Sequence, residues 1–269
     1  MVDVAKRMFD MGLLDTFSRM ESPVHKLDPR AKLVTTALFI LTVLSFDRYA
    51  VSALLPYLFY PLFLLIVGGI PVGYLLRKMA YVAPFALLIG MFNPLLDTAP
   101  MTPVGSLVLS GGWISFSSIM LRFVLTVGAT LALVAVTGLY PLLSAADRLG
   151  APRVLTIQLM FFHRYLFVLA GETLRTLRAR SLRDFGARLG PRAFGSLVGH
   201  LLLRTLDRAE RIHRAMTSRG FEGKIHLSIP LQFNGRDALF IAVWGVLFGL
   251  FRTMNISQFI GGGLLERLT

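Results

Sequence analysis

Two stretches of the chain place arginines beside a glycine and an aromatic: "RARSLRDFG", residues 178–186, and "RAMTSRGFEGK", residues 214–224. A guanidinium group there suits a lipid headgroup, a nucleic acid or the carboxylates of a partner protein. Cations in the last turn of a helix are stabilised by its unpaired carbonyls, by a few tenths to about 1 kcal/mol each. That term accounts for one or two arginines, but not for a pattern that recurs beside an apolar face. The other chemistry-bearing residues point away from catalysis. His25, His163, His200, His213 and His226 never stand at the short spacing that binds a metal from one helix, and H-E-x-x-H does not occur, so no metal ligand is assigned. His163 and His213 read as helix-packing positions and His25 as interfacial. No phosphate loop of the form G-x-x-x-x-G-K-[ST] is present; "FEGKI" has the Gly-Lys without the rest. Cysteine is absent, which removes disulfides and thiolate sites. The expected chemistry is recognition, with no catalytic residue.

The elements that carry these arginines sit in an apolar chain. Of 269 residues, 55% are hydrophobic and 16% charged, and the mean hydropathy is +0.66, the statistics of an all-α polytopic membrane protein. The N-terminus has early acids and no long apolar centre, so it does not read as a secretory signal peptide. Apolar runs predict about five spans, at 31–46, 50–69, 79–96, 114–138 and 237–254. The first and last are short, and Arg30, Lys32, Arg236 and Arg252 extend them by snorkelling. Pro56, Pro61, Pro84 and Pro94 predict kinks. Arg122 is a charge inside the fourth span; it reads as a residue that snorkels to an interface or pairs within the bundle.

Charge sets the expected topology. Lys6, Arg7, Lys26, Arg30 and Lys32 precede the first span, Arg77 and Lys78 separate the second and third, and residues 140–236 hold sixteen Lys or Arg against six Asp or Glu. The alternate connections, 47–49 and 97–113, contain one Arg between them. Five spans put every basic region on the cytoplasmic side, with the N-terminus inside and the C-terminus outside.

The chain thus divides into 1–139, with four spans, a cytoplasmic region 140–236, and a last span and tail at 237–269. Within the cytoplasmic region Pro141 and Gly150 bound a short helix. A long helical pattern runs from Val154 to Phe185 and stops at Gly186, Gly190 and Pro191; another runs from about Ala193 to Arg219 and stops at Gly220. On the latter, Leu202, Leu206, Ala209, His213 and Met216 share one face, expected to pack near Leu169, Thr173 and Leu177, and Arg204, Arg208, Arg211 and Arg214 share another. An amphipathic helix with an arginine tip is the shape that lies in a groove of another protein.

Most of the chain resembles the transmembrane T component of energy-coupling factor (ECF) transporters, in the cobalt and nickel branch, the CbiQ/EcfT family. "SPVHKLDPRAKL", residues 22–33, is similar to that family's entry into its first span, and Asp28-Pro29 fits an N-cap followed by a first helical residue. "LGAPRVLTIQLMFFHRYLFVLAGETLRTLRAR" and "RTLDRAERIHRAMTSRGF" resemble the segments that lead to its two coupling tips. The family signature is a pair of Ala-Arg-Gly motifs; here the positions hold Ala179-Arg180-Ser181 and Ser218-Arg219-Gly220, each departing at one residue. The resemblance implies a non-catalytic subunit that binds no cofactor itself. ATP and Mg are used by a partner pair of ABC ATPase subunits, in whose grooves both tips dock, with Met216 and Phe221 packing beside Arg219. It also implies a separate substrate-binding (S) membrane subunit that supplies any metal ligands, and a place in the bacterial plasma (inner) membrane.

Divalent cobalt or nickel is the expected cargo, with a vitamin-importing relative as the alternative within the family. From another class, a membrane anchor whose basic region binds anionic lipid is compatible with the net charge of +13. A self-contained transporter lacks the two related halves with broken helices and converging charges. Nucleic acid is disfavoured, because few aromatics interleave with the arginines. The expected topology is directly testable in a chain with no cysteine of its own. A membrane-impermeant thiol reagent applied to intact cells is expected to label a Gly262→Cys variant and to reach Ser22→Cys only after permeabilisation; the reverse pattern would overturn the assigned orientation.

Overall fold

The computed structural model describes residues 17–18, 20–47, 49–96, 100–104, 107–183, 190–221 and 233–253. The helices are α1 (Pro29–Leu44), α2 (Val51–Leu54), a 3-10 turn (Leu55–Leu58), α3 (Phe59–Gly68), α4 (Val72–Leu96), α5 (Gly111–Thr137), α6 (Leu139–Arg148), α7 (Arg153–Arg183), α8 (Pro191–Thr217) and α9 (Gly235–Thr253). A short antiparallel hairpin, β1 (Pro100–Val104) and β2 (Leu107–Ser110), joins α4 to α5. The fold is that of an all-α polytopic membrane protein. The chain divides into two compact units at 145/146 and 230/231: the described residues of 17–145 and 233–253 form one, and those of 146–221 the other.

In the first unit the apolar core is built by α1, α2, the 3-10 turn, α3, α5 and α9, with Leu75 and Met79 from α4. Phe39, Val43, Leu54, Tyr57, Tyr60, Leu64, Leu125, Ala129, Ala132, Trp244 and Phe248 are buried in it. Small residues on α5 let neighbours approach: Gly128, Ala129, Ala132 and Ala135 line its buried side. Pro56 acts where the sequence predicted a kink, and the second span passes through the 3-10 turn between α2 and α3. Two tyrosine hydroxyls inside this core have partners: that of Tyr57 donates to the Phe248 carbonyl at 2.9 Å, and that of Tyr60 shares a 2.7 Å hydrogen bond with Thr36. By contrast Tyr81, Phe85, Leu88 and Met91 on α4 are exposed, as side chains in contact with lipid would be.

By length and composition four helices are able to cross a membrane: Val51–Gly68, Val72–Pro94, Gly111–Thr137 and Arg153–Arg183. This differs from the five expected. The expected first span is α1, whose 16 residues reach only about 24 Å of the roughly 30 Å of hydrocarbon. The expected last is α9, 19 residues long with Arg236, Asp237 and Arg252 at its ends. Both nonetheless bury their apolar faces in the core. The fourth candidate is α7, expected to be cytoplasmic; the apolar run over 154–170 in its N-terminal half brings it into the set.

Charged side chains hold α1 at both ends. Asp28 is its N-cap, accepting from the Arg30 N–H at 2.8 Å, and Pro29 is its first residue, as expected. The Asp28 N–H donates to Oδ1 of Asp237 at 2.8 Å, while Oδ2 of Asp237 accepts from the Asn234 N–H at 2.8 Å. One carboxylate thus caps α1 and α9 together. Lys32 is buried nearby, in the field of Asp28 and Asp237. At the other end Arg122 donates to the carbonyls of Phe46 and Asp47, and Arg252 donates to the Ser45 carbonyl at 3.2 Å and lies 4.6 Å from the centroid of the Phe46 ring. Arg122 therefore ties down the turn that follows α1, in line with pairing inside the bundle. Before α1, His25 Nε2–H donates to the Phe17 carbonyl and Nδ1 accepts from the Ser22 hydroxyl. Burial holds its pKa below the ordinary histidine value; the Phe17 carbonyl opposes this and Lys32 reinforces it.

The shared cap at Asp237 makes a prediction. Asp237→Ala leaves two backbone N–H groups without their acceptor and Lys32 with one carboxylate fewer, and is expected to cost about 2–5 kcal/mol. Asp237→Asn, which keeps one acceptor oxygen, should cost less. Thermal unfolding of the detergent-purified protein reads both, and an alanine variant with the wild-type midpoint would show that the cap adds no stability.

Candidate coupling surface

The second unit is built on α7 and α8, which pass each other in opposite directions. Phe161, Tyr165 and Leu169 of α7 face Thr205, Arg208, Ile212 and Met216 of α8 across an apolar cavity of about 360 Å³. Further along α7, Thr176 and Arg180 face Ala193, Leu197, His200, Leu201 and Arg204 across another of about 470 Å³. Between the two cavities stands Glu172, the one acidic residue on α7. Its Oε2 accepts from Arg208 Nη1 at 3.2 Å, and its Oε1 lies 3.5 Å from Arg204 Nη1.

This placement corrects the expected packing of α8. Leu202 and Leu206 are 59% and 55% exposed. The face turned to α7 is Leu197, Leu201, Arg204, Thr205, Arg208, Ala209, Ile212, His213 and Met216, so of the expected row Ala209, His213 and Met216 line the cavity that Leu169 also lines, while Leu202 and Leu206 turn away. The physical reason is the Glu172 carboxylate, which takes Arg204 and Arg208 and so turns Leu202 and Leu206 away from α7. Of the other arginines, Arg214 pairs with Glu210 one turn earlier at 3.0 Å, on the surface, where such a pair contributes little. His213 lines the apolar cavity; His163 stands edge-on to Phe167, 5.1 Å between centroids; His200 is exposed. Among the described residues no three of His, Asp and Glu gather as a metal site would require.

The two tips differ in construction. Ala179, Arg180 and Ser181 lie inside α7, near its end, and the Ser181 hydroxyl donates back to the Arg178 carbonyl at 2.9 Å. Arg180 is half-buried and lines the larger cavity. Phe185 and Gly186, the expected end of this helix, lie outside the described residues. Gly190 and Pro191, read as part of its stop, are instead the N-cap and first residue of α8.

Ser218, Arg219 and Gly220 form the C-terminal cap of α8. Gly220 has φ of 75°, the left-handed conformation that a side chain disfavours. The Gly220 N–H donates to the Thr217 carbonyl and the Phe221 N–H to the Met216 carbonyl, each at 3.0 Å. This is a Schellman motif, in which the residue after the glycine packs against the one five positions back. Met216 and Phe221 accordingly line the same apolar cavity. The turn holds Arg219 exposed at the helix end, with an apolar base beside it. A guanidinium so placed has the geometry to receive a carboxylate of another molecule.

Comparison with known proteins gives the lineage. Residues 20–228 match the family described as cobalt transport protein, CbiQ. The energy-coupling factor transporter transmembrane protein EcfT of Heliobacterium modesticaldum is 30% identical over 261 residues, covering 87% of this chain and 94% of that one. The protein of the same name from Bacillus subtilis is 26% identical over 237 residues, 80% and 87% of the two chains. The cobalt transport protein CbiQ of Salmonella typhimurium is 30% identical over 122 residues, 45% and 54% of the two. The long apolar helices, the two helices that cross at Glu172 and this match over most of the sequence agree: the chain belongs to the CbiQ/EcfT family and is a multi-pass transmembrane energy-coupling component of ECF transporters.

Proposed function

We infer that this subunit performs no chemistry of its own and couples a pair of ABC ATPase subunits to a separate substrate-binding membrane subunit, in an importer of divalent cobalt or nickel ions. The observation that carries the coupling role is the second tip: Arg219 is exposed at a helix end set by Gly220, beside the apolar pair Met216 and Phe221. Arg180, with Ala179 and Ser181, supplies the other tip. ATP and Mg act in the partner subunits. The metal cargo is supported by the cobalt transport description of the matching family. A second reading is the T component of a vitamin importer, because the EcfT-named relative that matches over 87% of the chain, against 45% for CbiQ of Salmonella, has a name that specifies no cargo. Identifying the substrate-binding subunit that co-purifies, and measuring radioactive cobalt or nickel uptake by the assembled complex, separates the two.

The proposed setting is the bacterial plasma membrane with the N-terminus cytoplasmic. The fold supports it: α1 and α9 run parallel, with their N-termini joined at Asp237 and their C-terminal ends joined through Arg252. The positive-inside rule applied to Lys26, Arg30 and Lys32 at the start of α1 puts the α1 N-terminus on the cytoplasmic side, and the parallel α9 then carries the C-terminus outside.

Docking through the arginines has a direct consequence. Removing one member of a desolvated charge pair costs about 3–5 kcal/mol, whereas an exposed pair contributes at most about 1 kcal/mol. Arg180→Glu and Arg219→Glu are each expected to release an ATPase subunit from the purified complex or to abolish coupled hydrolysis. Wild-type assembly and transport in both variants would reject docking at these residues.

The cap makes a subtler prediction. Gly220→Ala forces a side chain into the left-handed turn at a cost of about 1 kcal/mol, enough to weaken ATPase binding severalfold by fraying the tip. Gly220→Asn, which tolerates that conformation better, should weaken it less. Titration of ATPase subunits onto the reconstituted protein reads the order, and equal affinities for all three proteins would detach the turn from docking.

A further inference from the structure

We propose that Glu172 is the pivot that fixes how α7 and α8 cross, and thereby makes the two arginine tips move as one body. The inference rests on the coupling role proposed above.

Its first support is the charge distribution. α7 carries six arginines and α8 five, with only Glu172, Asp207 and Glu210 as acids on the two helices. Two helices so loaded repel, and Glu172 is the one carboxylate that α7 offers to α8. The second support is geometric. Arg204 and Arg208 stand four residues apart, about 6 Å along the α8 axis, and each oxygen of Glu172 takes one of them. A single contact would leave α8 free to turn and slide about it. A carboxylate that spans two successive turns fixes both its rotation and its axial register. The third support is the space around the site. Cavities of about 360 and 470 Å³ open between the helices on either side of Glu172, so close packing cannot hold the crossing angle along the arms. Glu172 is itself mostly sheltered, its side chain 20% exposed, and its backbone carbonyl accepts from the Thr176 hydroxyl at 2.9 Å. Glu172 is a positioning residue: it touches neither cargo nor nucleotide and acts through the tips.

The test uses the full complex in nanodiscs. The chain has no cysteine, so spin labels at Leu182→Cys and Ala215→Cys report the distance between the tips without further substitutions. One narrow distance distribution is expected in the parent protein and a broad one in Glu172→Gln. The same variant is expected to assemble and hydrolyse ATP, while cargo transported per ATP falls by up to about fivefold per lost charge pair. A residue needed only for stability would instead lower the amount of complex and leave that ratio unchanged. Reversing all three charges, with Glu172→Arg, Arg204→Glu and Arg208→Glu together, is expected to restore both the narrow distribution and the ratio, whereas Glu172→Arg alone fails. A narrow distribution in Glu172→Gln, an unchanged ratio, or a triple variant as defective as Glu172→Arg each overturns the pivot. Wild-type assembly and transport in both tip variants remove the coupling role instead, and the distance measurement still decides whether Glu172 sets the crossing.

Discussion

A polar group withdrawn from water must find its partner within the protein, and α1 shows how far that requirement organises this chain. The helix is too short to cover the hydrocarbon by itself, and its unpaired ends would be costly there. Asp237 closes the N-terminal end and also caps its own helix, while Arg122 and Arg252 close the C-terminal end. Three charged residues that look out of place in apolar segments are therefore what allows those segments to pack, and the aromatic cluster of Phe39, Tyr57, Tyr60, Trp244 and Phe248 fills the space between the two closed ends.

The second unit obeys the opposite economy. Its helices carry an excess of arginine that no internal set of carboxylates balances, so most of that charge faces solvent or a partner. One carboxylate, Glu172, is used inside, and it takes two arginines at the crossing. The arginine of the second tip is left exposed by a glycine-dependent turn, and that of the first lines a cavity beside the crossing. A scaffold that moves other proteins needs this arrangement: its own interior interactions set where the tips are, and the remaining charge is free for recognition.

Much of this was legible in the sequence because it is local. Asp28 followed by Pro29 announced a helix start, Pro141 and Gly150 bounded α6, and Ser218-Arg219-Gly220 marked a helix end, each through chemistry confined to a few residues. What escaped is long-range. Asp237 caps a residue 209 positions away, and no local pattern names that partner. The apolar row of Leu202 and Leu206 was visible as a stripe, but periodicity says which residues share a face and not which face meets the neighbouring helix. A signal was present all the same: a lone glutamate in a helix with six arginines had to be close to some of them. The length-and-composition criterion leaves out α1 and α9, segments whose own length is marginal and which side chains from other helices support, and it admits α7, because an apolar half-helix looks the same to hydropathy wherever it lies.

The most direct measurement of the central claim is photo-cross-linking from the tips themselves. A photoreactive amino acid placed at Ser181 or at Ser218 in the complete, membrane-embedded complex is activated, and the adducts are identified by mass spectrometry. The account predicts adducts with ATPase subunits from both positions. Adducts confined to lipid, or to the substrate-binding subunit, would contradict it.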